Sequence, residues 1–442
     1  MTGDQRYTTE KVDVSLLAKP IEFATSGLKA KNVFLKAAMT ERLSAWDQKD
    51  ETKRGTPSDT LVKVYEEWGK GGFGVILSGN TLVDPINLEA PGNIIFSKSV
   101  ADPNHEAQVK KLVQGAKAEG SLFVFQLSHG GRQVVEALQP DPVSASDIKL
   151  DDRMGMSFGK PHPATTEEIK TIINNFAEAA AFAKKVGADG VQLHAAHGYL
   201  LAQFLSGTTN KRTDNYGGSI ENRARIIFEI IEAIQAKVND KKFSISLKLN
   251  SVEFQEGGLQ PDEAASVVGH LAKLGVDWIE LSGGTYEELA FQHKRESTKV
   301  RESYFLEFAD IIRPKAGEIK LYVTGGFRKA SSMVQAIKDG STDGIGLARP
   351  VTEEFDLPKK IIEGKVFSAR KSLVDASDFG TGNVLAGTQI QQVGSGVQAI
   401  DSSDEHQMAK FQARVGEYFQ ESGENAKQGI IKAGYPTLSS TY

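Results

Sequence analysis

The chain contains no cysteine, and that absence removes several kinds of chemistry at once. Disulfides, a thiolate nucleophile, a thiolate-held iron–sulfur cluster and a cysteine-based zinc site are all excluded. Any redox chemistry must come from a bound organic cofactor or from a metal held by histidines and carboxylates. A charge excess is missing as well. Lys and Arg number 52 against 57 Asp and Glu, a formal net charge of −5, so nothing suggests a nucleic-acid or anionic-membrane partner. No apolar run approaches the roughly 20 residues that cross a bilayer. The opening residues, Met-Thr-Gly-Asp-Gln-Arg-Tyr, lack the apolar core of a signal peptide, and a cytoplasmic protein is expected. What remains, 40% hydrophobic and 25% charged residues over 442 positions, is the composition of an ordinary globular chain.

Between about residues 30 and 365, short β-branched runs alternate with longer amphipathic stretches, the pattern of repeated βα units on a parallel sheet. Eight strand candidates can be counted, at 33–37, 75–78, 122–127, 190–194, 244–250, 278–282, 320–324 and 343–347. Thr165 and Glu168 open a helix over 166–186 in capping-box spacing, and Gly187 ends it. A second helix, about 219–238, carries Ile226, Ile227, Ile230, Ile231 and Ile234 on one face. Eight such units fit an α/β fold of the (β/α)8 TIM-barrel type. An open doubly wound sheet competes, but no G-x-G-x-x-G follows the first strand.

The expected organisation is an N-terminal arm (1–19), the barrel (20–365) and a C-terminal extension (366–442). Residues 375–401, rich in Gly, Ser, Thr, Gln and Ala, read as a loop or linker. Beyond Ser402 and Glu405, a candidate capping box, Met408, Phe411, Val415 and Phe419 recur at helical spacing. One amphipathic helix over about 404–420 cannot bury its own face, so it must pack on the barrel or on another subunit. The second case would make a homo-oligomer.

Only 8 histidines occur, and two of them, with a tyrosine, fall within six positions. In Val-Gln-Leu-His194-Ala-Ala-His197-Gly-Tyr199 a strand ends among three groups able to donate hydrogen bonds or a proton. In such a barrel the active site lies at the C-terminal strand ends. Collected there are Ala38, Met39 and Thr40 after strand 1, Gln126 in strand 3, Lys248 in strand 5, Gly325 and Gly326 after strand 7, and Ala348 and Arg349 after strand 8. The last two strand ends suit a phosphate, because glycines let backbone N–H groups approach an anion and Arg349 can fork onto its oxygens. Read as a metal pair, His194 and His197 would need a further ligand such as His129 or Glu221. The more economical reading is that His129 supports its loop, His162 sits in a turn, and Arg212 and Asp214 form a structural ion pair.

His194-Ala-Ala-His197-Gly-Tyr199-Leu, then Phe204-Leu-Ser, then Asn210-Lys-Arg212-Thr-Asp-Asn215-Tyr216-Gly217-Gly218-Ser219-Ile-Glu-Asn222-Arg223, resembles the signature of the Old Yellow Enzyme family. The resemblance runs from Ala-Ala-Met-Thr through Phe125-Gln126-Leu to Gly346-Leu-Ala-Arg349, and so covers about residues 20–365. It implies an FMN-dependent ene reductase supplied with electrons by NADH or NADPH. Ala38, Met39, Thr40, Gln126 and Lys248 would hold the flavin ring, with Thr40 at its O4 edge and Lys248 beside N1 and O2. Gly325, Gly326, Ala348 and Arg349 would hold its phosphate. His194 and His197 would clamp the carbonyl oxygen of an α,β-unsaturated substrate, and Tyr199 would protonate the α-carbon. The chain departs from the family in having Ala37-Ala38 where proline is common, and in offering no cysteine at Thr40. Two other classes remain as alternatives: a flavin-binding sensor or scaffold without turnover, and a metal-dependent barrel enzyme. Loops 40–57 and 283–304 are expected to shape substrate fit.

Overall fold

In the computed structural model, which describes residues 5–152, 156–250, 257–282, 298–376 and 378–438, eight parallel strands close on themselves. They are β1 (Phe34–Lys36), β2 (Val75–Leu82), β3 (Leu122–Ser128), β4 (Gly190–Ala195), β5 (Ser244–Asn250), β6 (Trp278–Ser282), β7 (Lys320–Thr324) and β8 (Gly344–Leu347). Pairing of β8 with β1 and of β1 with β2 completes the ring. The (β/α)8 barrel expected from the sequence is therefore the fold. Strand β2 runs beyond its expected end at 78, through a register shift between Leu77 and Asn80. Ser78 and Gly79 lie at this irregularity inside the strand rather than beyond its end.

Among the described residues, the helices that follow the strands are α1 (Asp59–Gly69), α2 (His105–Lys117), α3 (Thr166–Lys185), α4 (Ile220–Val238), α5 (Pro261–Lys273), α6 (Thr298–Ala316), α7 (Ala330–Lys338) and α8 (Leu357–Ile362). The Thr165–Glu168 capping box opens α3, and Ile226, Ile227, Ile230, Ile231 and Ile234 of α4 are all buried in the core. Along β5 the two faces divide cleanly. Ile245, Leu247 and Leu249 join the apolar core, whereas Ser246, Lys248 and Asn250 are buried polar residues of the opposite phase. Among the described residues no helix is long and apolar enough to cross a membrane.

The extension departs from expectation. Residues Phe379–Gly394, within the stretch read as a linker, form a helix, α9, capped by Asp378, whose side chain accepts from Thr381 N. Its low intrinsic propensity is overridden by packing that needs small residues. A Cβ on Gly394 would lie 2.6 Å from Thr60 O of α1, and one on Gly387 would lie 2.4 Å from the Tyr435 ring. The last helix, α10 (Glu405–Lys427), is longer than expected and starts at Asp404, which accepts from Gln407 N. Ser402 is therefore not its cap; its hydroxyl donates to Glu353 (2.5 Å) instead. Met408 and Phe411 of α10 join Leu385 and Ile400 in a small apolar cluster, while Phe419, expected on the buried face, is 58% exposed.

Two adjacent glutamates after β8 gather the ends of the chain. Glu354 accepts from Arg6 (2.5 Å) and from Arg370 N (3.0 Å), and Glu353 accepts from Arg370 (3.0 Å) and Ser402. Behind them, Gln389 of α9 accepts from Thr352 Oγ1 (2.7 Å) and donates to Ile400 O (2.9 Å), both buried. Gln389→Leu should lose both bonds at a cost of about 1–3 kcal/mol. A lower urea midpoint together with earlier proteolytic cutting in the extension is the expected result; an unchanged midpoint would show that these bonds do not hold α9 to the barrel.

Candidate active site

At the C-terminal ends of the strands lies a cavity of about 370 Å³. Ala38, Met39, Thr40, Gln126, His194, His197, Tyr199, Lys248, Gly325, Gly326, Ala348 and Arg349 all line it. The twelve positions singled out from the sequence thus come together, from six different strands and the loops after them. Residues 283–297, including Gly283, Gly284 and most of the expected substrate loop, lie outside the described residues.

His194 closes β4, and its Nδ1 accepts from Ala196 N (3.3 Å). The proton of a neutral ring is therefore on Nε2, which makes that nitrogen a donor. His197 has a left-handed backbone (φ 59°), a conformation that costs a non-glycine residue on the order of 1 kcal/mol or more. Two neighbours hold it there: its N–H donates to Asn250 Oδ1 (3.0 Å), and its carbonyl accepts from Gln133 Nε2 (3.0 Å). Its Nε2 lies 2.9 Å from Ser282 Oγ. The ring centroid of His194 is 5.1 Å from that of His197 and 4.8 Å from that of Tyr199. Tyr199 is oriented by the turn before the short helix Leu200–Leu205. There Gln203 Nε2 donates to Gly198 O (2.7 Å), while its Oε1 accepts from Ser144 Oγ (2.8 Å).

Burial pushes the His194 pKa well below the usual 6.5, with nearby His197 and Lys248 adding to the effect. Burial and then Lys248 lower that of His197 to about 3. Both rings are neutral hydrogen-bonding groups at physiological pH, not cations.

Beneath them runs a buried polar chain that the sequence reading caught only in part. Gln126 Nε2 donates to Gln192 Oε1 (2.6 Å), Gln192 Nε2 donates to Glu280 Oε2 (3.0 Å), and Lys248 Nζ donates to Glu280 Oε1 (3.0 Å). Strand register dictates these meetings, since Gln126 pairs with Gln192 and Lys248 with both His194 and Glu280. Lys248 is thus a cation with a buried counter-charge. The loop after β1 is held from behind, where Glu41 accepts from Gly79 N (2.9 Å) and from the Tyr65 hydroxyl, and Asn80 Nδ2 donates to Thr40 Oγ1 (3.1 Å).

Two features suit a flavin nucleotide. Among the described residues, Asn80 Oδ1 and Thr324 Oγ1 are buried without a hydrogen-bond partner, and both residues line the cavity, so each can meet a polar atom of a ligand. At the other end Gly326, left-handed at φ 81°, adjoins Arg328, and with Arg349 these residues form a small, cationic corner fit for a phosphate. No cluster of three or more His, Asp or Glu able to hold a metal occurs among the described residues. His129 is buried with Nδ1 accepting from Gly131 N (3.1 Å), and Glu221 lies exposed at the start of α4.

The segment 204–223 does not reach the cavity. Arg212 pairs with Asp214 (2.5 Å) and donates to Ala145 O and Ala164 O, and Asn210 Nδ2 donates to Phe204 O and Tyr216 O. It braces the turn that presents Tyr199. His162 bridges Asp141 and Glu168 (2.9 Å each) at the mouth of α3. Residues missed from the sequence include Asn80, Gln192, Glu280 and the extension residues Asn383, Val384 and Tyr435. An alternation of polar and apolar positions in β4 and β6 could have found Gln192 and Glu280.

The sequence profile of the NADH:flavin oxidoreductase / NADH oxidase family matches residues 17–366. An NADH-dependent flavin oxidoreductase of Aspergillus parasiticus is 42% identical over 400 residues, covering 90% of this chain and 89% of its own length. Among solved structures, a 2-naphthoyl-CoA reductase in complex with 2-naphthoyl-CoA superposes with a TM-score of 0.70 at 26% identity, covering 79% of this chain and 52% of that one. An old yellow enzyme homologue from Zymomonas mobilis shares the fold, with a TM-score of 0.65 at 21% identity over 83% of this chain and 98% of its own.

Neutral histidines make a measurable prediction. Unfolded histidines bind a proton near pH 6.5, whereas folded His197 stays neutral down to about 3. Lowering the pH from 6.5 toward 3 should therefore reduce stability through these two residues, because the unfolded chain takes up protons that the folded one refuses. Imidazole nitrogen NMR of the folded protein should show neither ring titrating between about pH 5 and 8. A transition near 6.5 at His194 or His197 would contradict the assignment.

Proposed function

Because the chain belongs to the NADH:flavin oxidoreductase / NADH oxidase family, we propose that it is an FMN-dependent reductase of activated carbon–carbon double bonds, driven by NADH or NADPH. The observation that carries this reading is the convergence of His194, His197 and Tyr199 with the flavin-type residues on one cavity. Support also comes from the 2-naphthoyl-CoA reductase, whose named ligand bears a carbonyl conjugated to carbon–carbon double bonds. The Aspergillus parasiticus relative, named as NADH-dependent, favours NADH as the reductant. In this reading residues 20–365 form the FMN-binding barrel, with 1–19 an arm and 366–442 an extension.

Ala38, Met39, Thr40, Gln126 and Lys248 would hold the flavin ring, and Gly325, Gly326, Ala348 and Arg349 its phosphate. Asn80 and Thr324 add the polar atoms described above. FMN, when bound there, would supply the hydride for the substrate β-carbon. Nε2 of His194 and the imidazole of His197 would donate to the substrate carbonyl oxygen, drawing electron density from the alkene toward oxygen as negative charge develops there. As neutral donors they do this without a protonation step of their own. Tyr199 would then deliver its hydroxyl proton to the α-carbon, regaining one from water. The Lys248–Glu280 pair keeps a fixed dipole at the ring end of the site, and the lysine can turn further N–H bonds to a ligand.

Purification tests the reading directly. The protein should retain FMN at close to one per chain and oxidise NADH or NADPH faster when a simple enone is added; a protein that takes up no FMN on reconstitution would sink the proposal. Tyr199→Phe should slow alkene reduction by about 100-fold or more and leave reduction of the flavin by nucleotide nearly unchanged in stopped flow. Equal losses in the two half-reactions would remove Tyr199 from the role of proton donor.

A further inference from the structure

The C-terminal extension does more than cover the barrel. Asn383, Val384, Gly387 and Ile390 of α9, together with Tyr435, line the same cavity as the histidines. Tyr435 reaches it from a segment that follows α10 and returns across the strand ends. Trp46 Nε1 donates to Ile431 O (3.0 Å), Ile431 N donates to Gln48 Oε1 (2.9 Å), and Tyr435 N donates to Gln391 Oε1 (3.0 Å) of α9. The Tyr435 hydroxyl donates to Thr40 O (3.0 Å), in the loop after β1. Its ring is packed on one side against Gly387, where no larger residue fits, and the Arg42 guanidinium lies 4.9 Å from its centroid. Arg42 itself is 3.7 Å from Glu89. Near β8, Gly382 brings α9 so close to Arg349 that a Cβ would lie 2.7 Å from its Nη1. The extension therefore borders the mouth over the ends of both β1 and β8.

We propose that Tyr435 and the cavity face of α9 form a substrate-limiting wall, supplied by the same chain, that sets how large an unsaturated carbonyl compound the site admits. The proposal rests on the reductase reading above. A tyrosine is suited to the task because its ring is rigid and is here fixed from four directions: by Gly387, by Arg42, through its N–H and through its hydroxyl. Burial raises the Tyr435 phenol to about 12, so it remains a protonated donor to Thr40 O across the working pH range. Tyr435 is a specificity and positioning residue rather than a proton donor to the reaction. The wall also touches Thr40 directly, so that the residue expected at the flavin edge and the residue limiting the substrate are joined by one hydrogen bond.

Three holoenzyme variants test the wall. Tyr435→Ala removes it, Tyr435→Phe keeps the ring, and Asn383→Trp narrows the mouth at an exposed position where folding tolerates the change. For each, kcat/KM is measured with NADH for a small enone, 2-cyclohexen-1-one, and a bulky one, 4-phenylbut-3-en-2-one. Iodide quenching of the bound flavin's fluorescence provides a readout independent of turnover. Tyr435→Ala should raise the bulky-to-small kcat/KM ratio by about tenfold and Asn383→Trp should lower it by a similar factor, the scale that a few carbons of pocket volume command. Tyr435→Phe should keep the ratio near that of the wild type. Iodide access should rise in Tyr435→Ala and fall in Asn383→Trp. FMN-loaded Tyr435→Ala and Asn383→Trp with both ratio and quenching unchanged would overturn the wall. A wild type that holds no FMN or reduces neither enone would instead overturn the reductase reading on which it stands.

Discussion

The interior of this barrel is built around one buried carboxylate. Glu280 is fully enclosed and answers the Lys248 ammonium at 3.0 Å. Each charge taken alone into such a place would cost several kcal/mol of lost hydration, so neither residue is tolerable without the other. Glu280 also accepts from Gln192, which in turn holds Gln126. Side chains from β3, β4, β5 and β6 are thereby locked into one arrangement by groups that would be left unsatisfied in any other. The floor of the cavity is rigid for this reason.

Above that floor His194 and His197 are placed by backbone as much as by side chain. His194 is set by the end of β4 and by the N–H of Ala196. His197 depends on a strained turn whose two flanking peptide groups are held by Asn250 and Gln133. Strain of this kind persists only where the surroundings over-determine it, and here the bracing extends outward to Gln203 and the Arg212–Asp214 loop. The segment 204–223, the longest piece of the family signature, never touches the cavity. Its service is to hold the piece that does.

Much of this was legible in the residues, and what was not has physical causes. Strand positions followed from apolar runs set between capped amphipathic helices, as at Thr165–Glu168 and the isoleucines of α4. Lys248 stands out at the C-terminal end of its strand, in the phase opposite to Leu247 and Leu249. Glu280 has the same relation to Ile279 and Leu281, yet a single acid in a short strand resembles a solvated edge until its partner strand is known. Asn80 lies beyond 78, the expected end of its strand, whereas the strand continues through Gly79, where Glu41 presses close. The glycines of α9 are what make its sequence read as a linker. Those glycines are contact points with Thr60, Tyr435 and Arg349, and such a reason is tertiary, invisible to local propensity.

The bond from Tyr435 to Thr40 spans 395 residues of chain, and that separation has a bearing on how the protein matures. Strand pairing between β1 and β2 and the packing of α1 against α2 can begin while most of the chain is still being synthesised. The mouth over β1 waits for a segment delivered only after both extension helices. A nascent barrel would thus present His194 and His197 with one side unfinished until that segment arrives. The order in which the ribosome releases the chain places closure of that side after the barrel strands have been made.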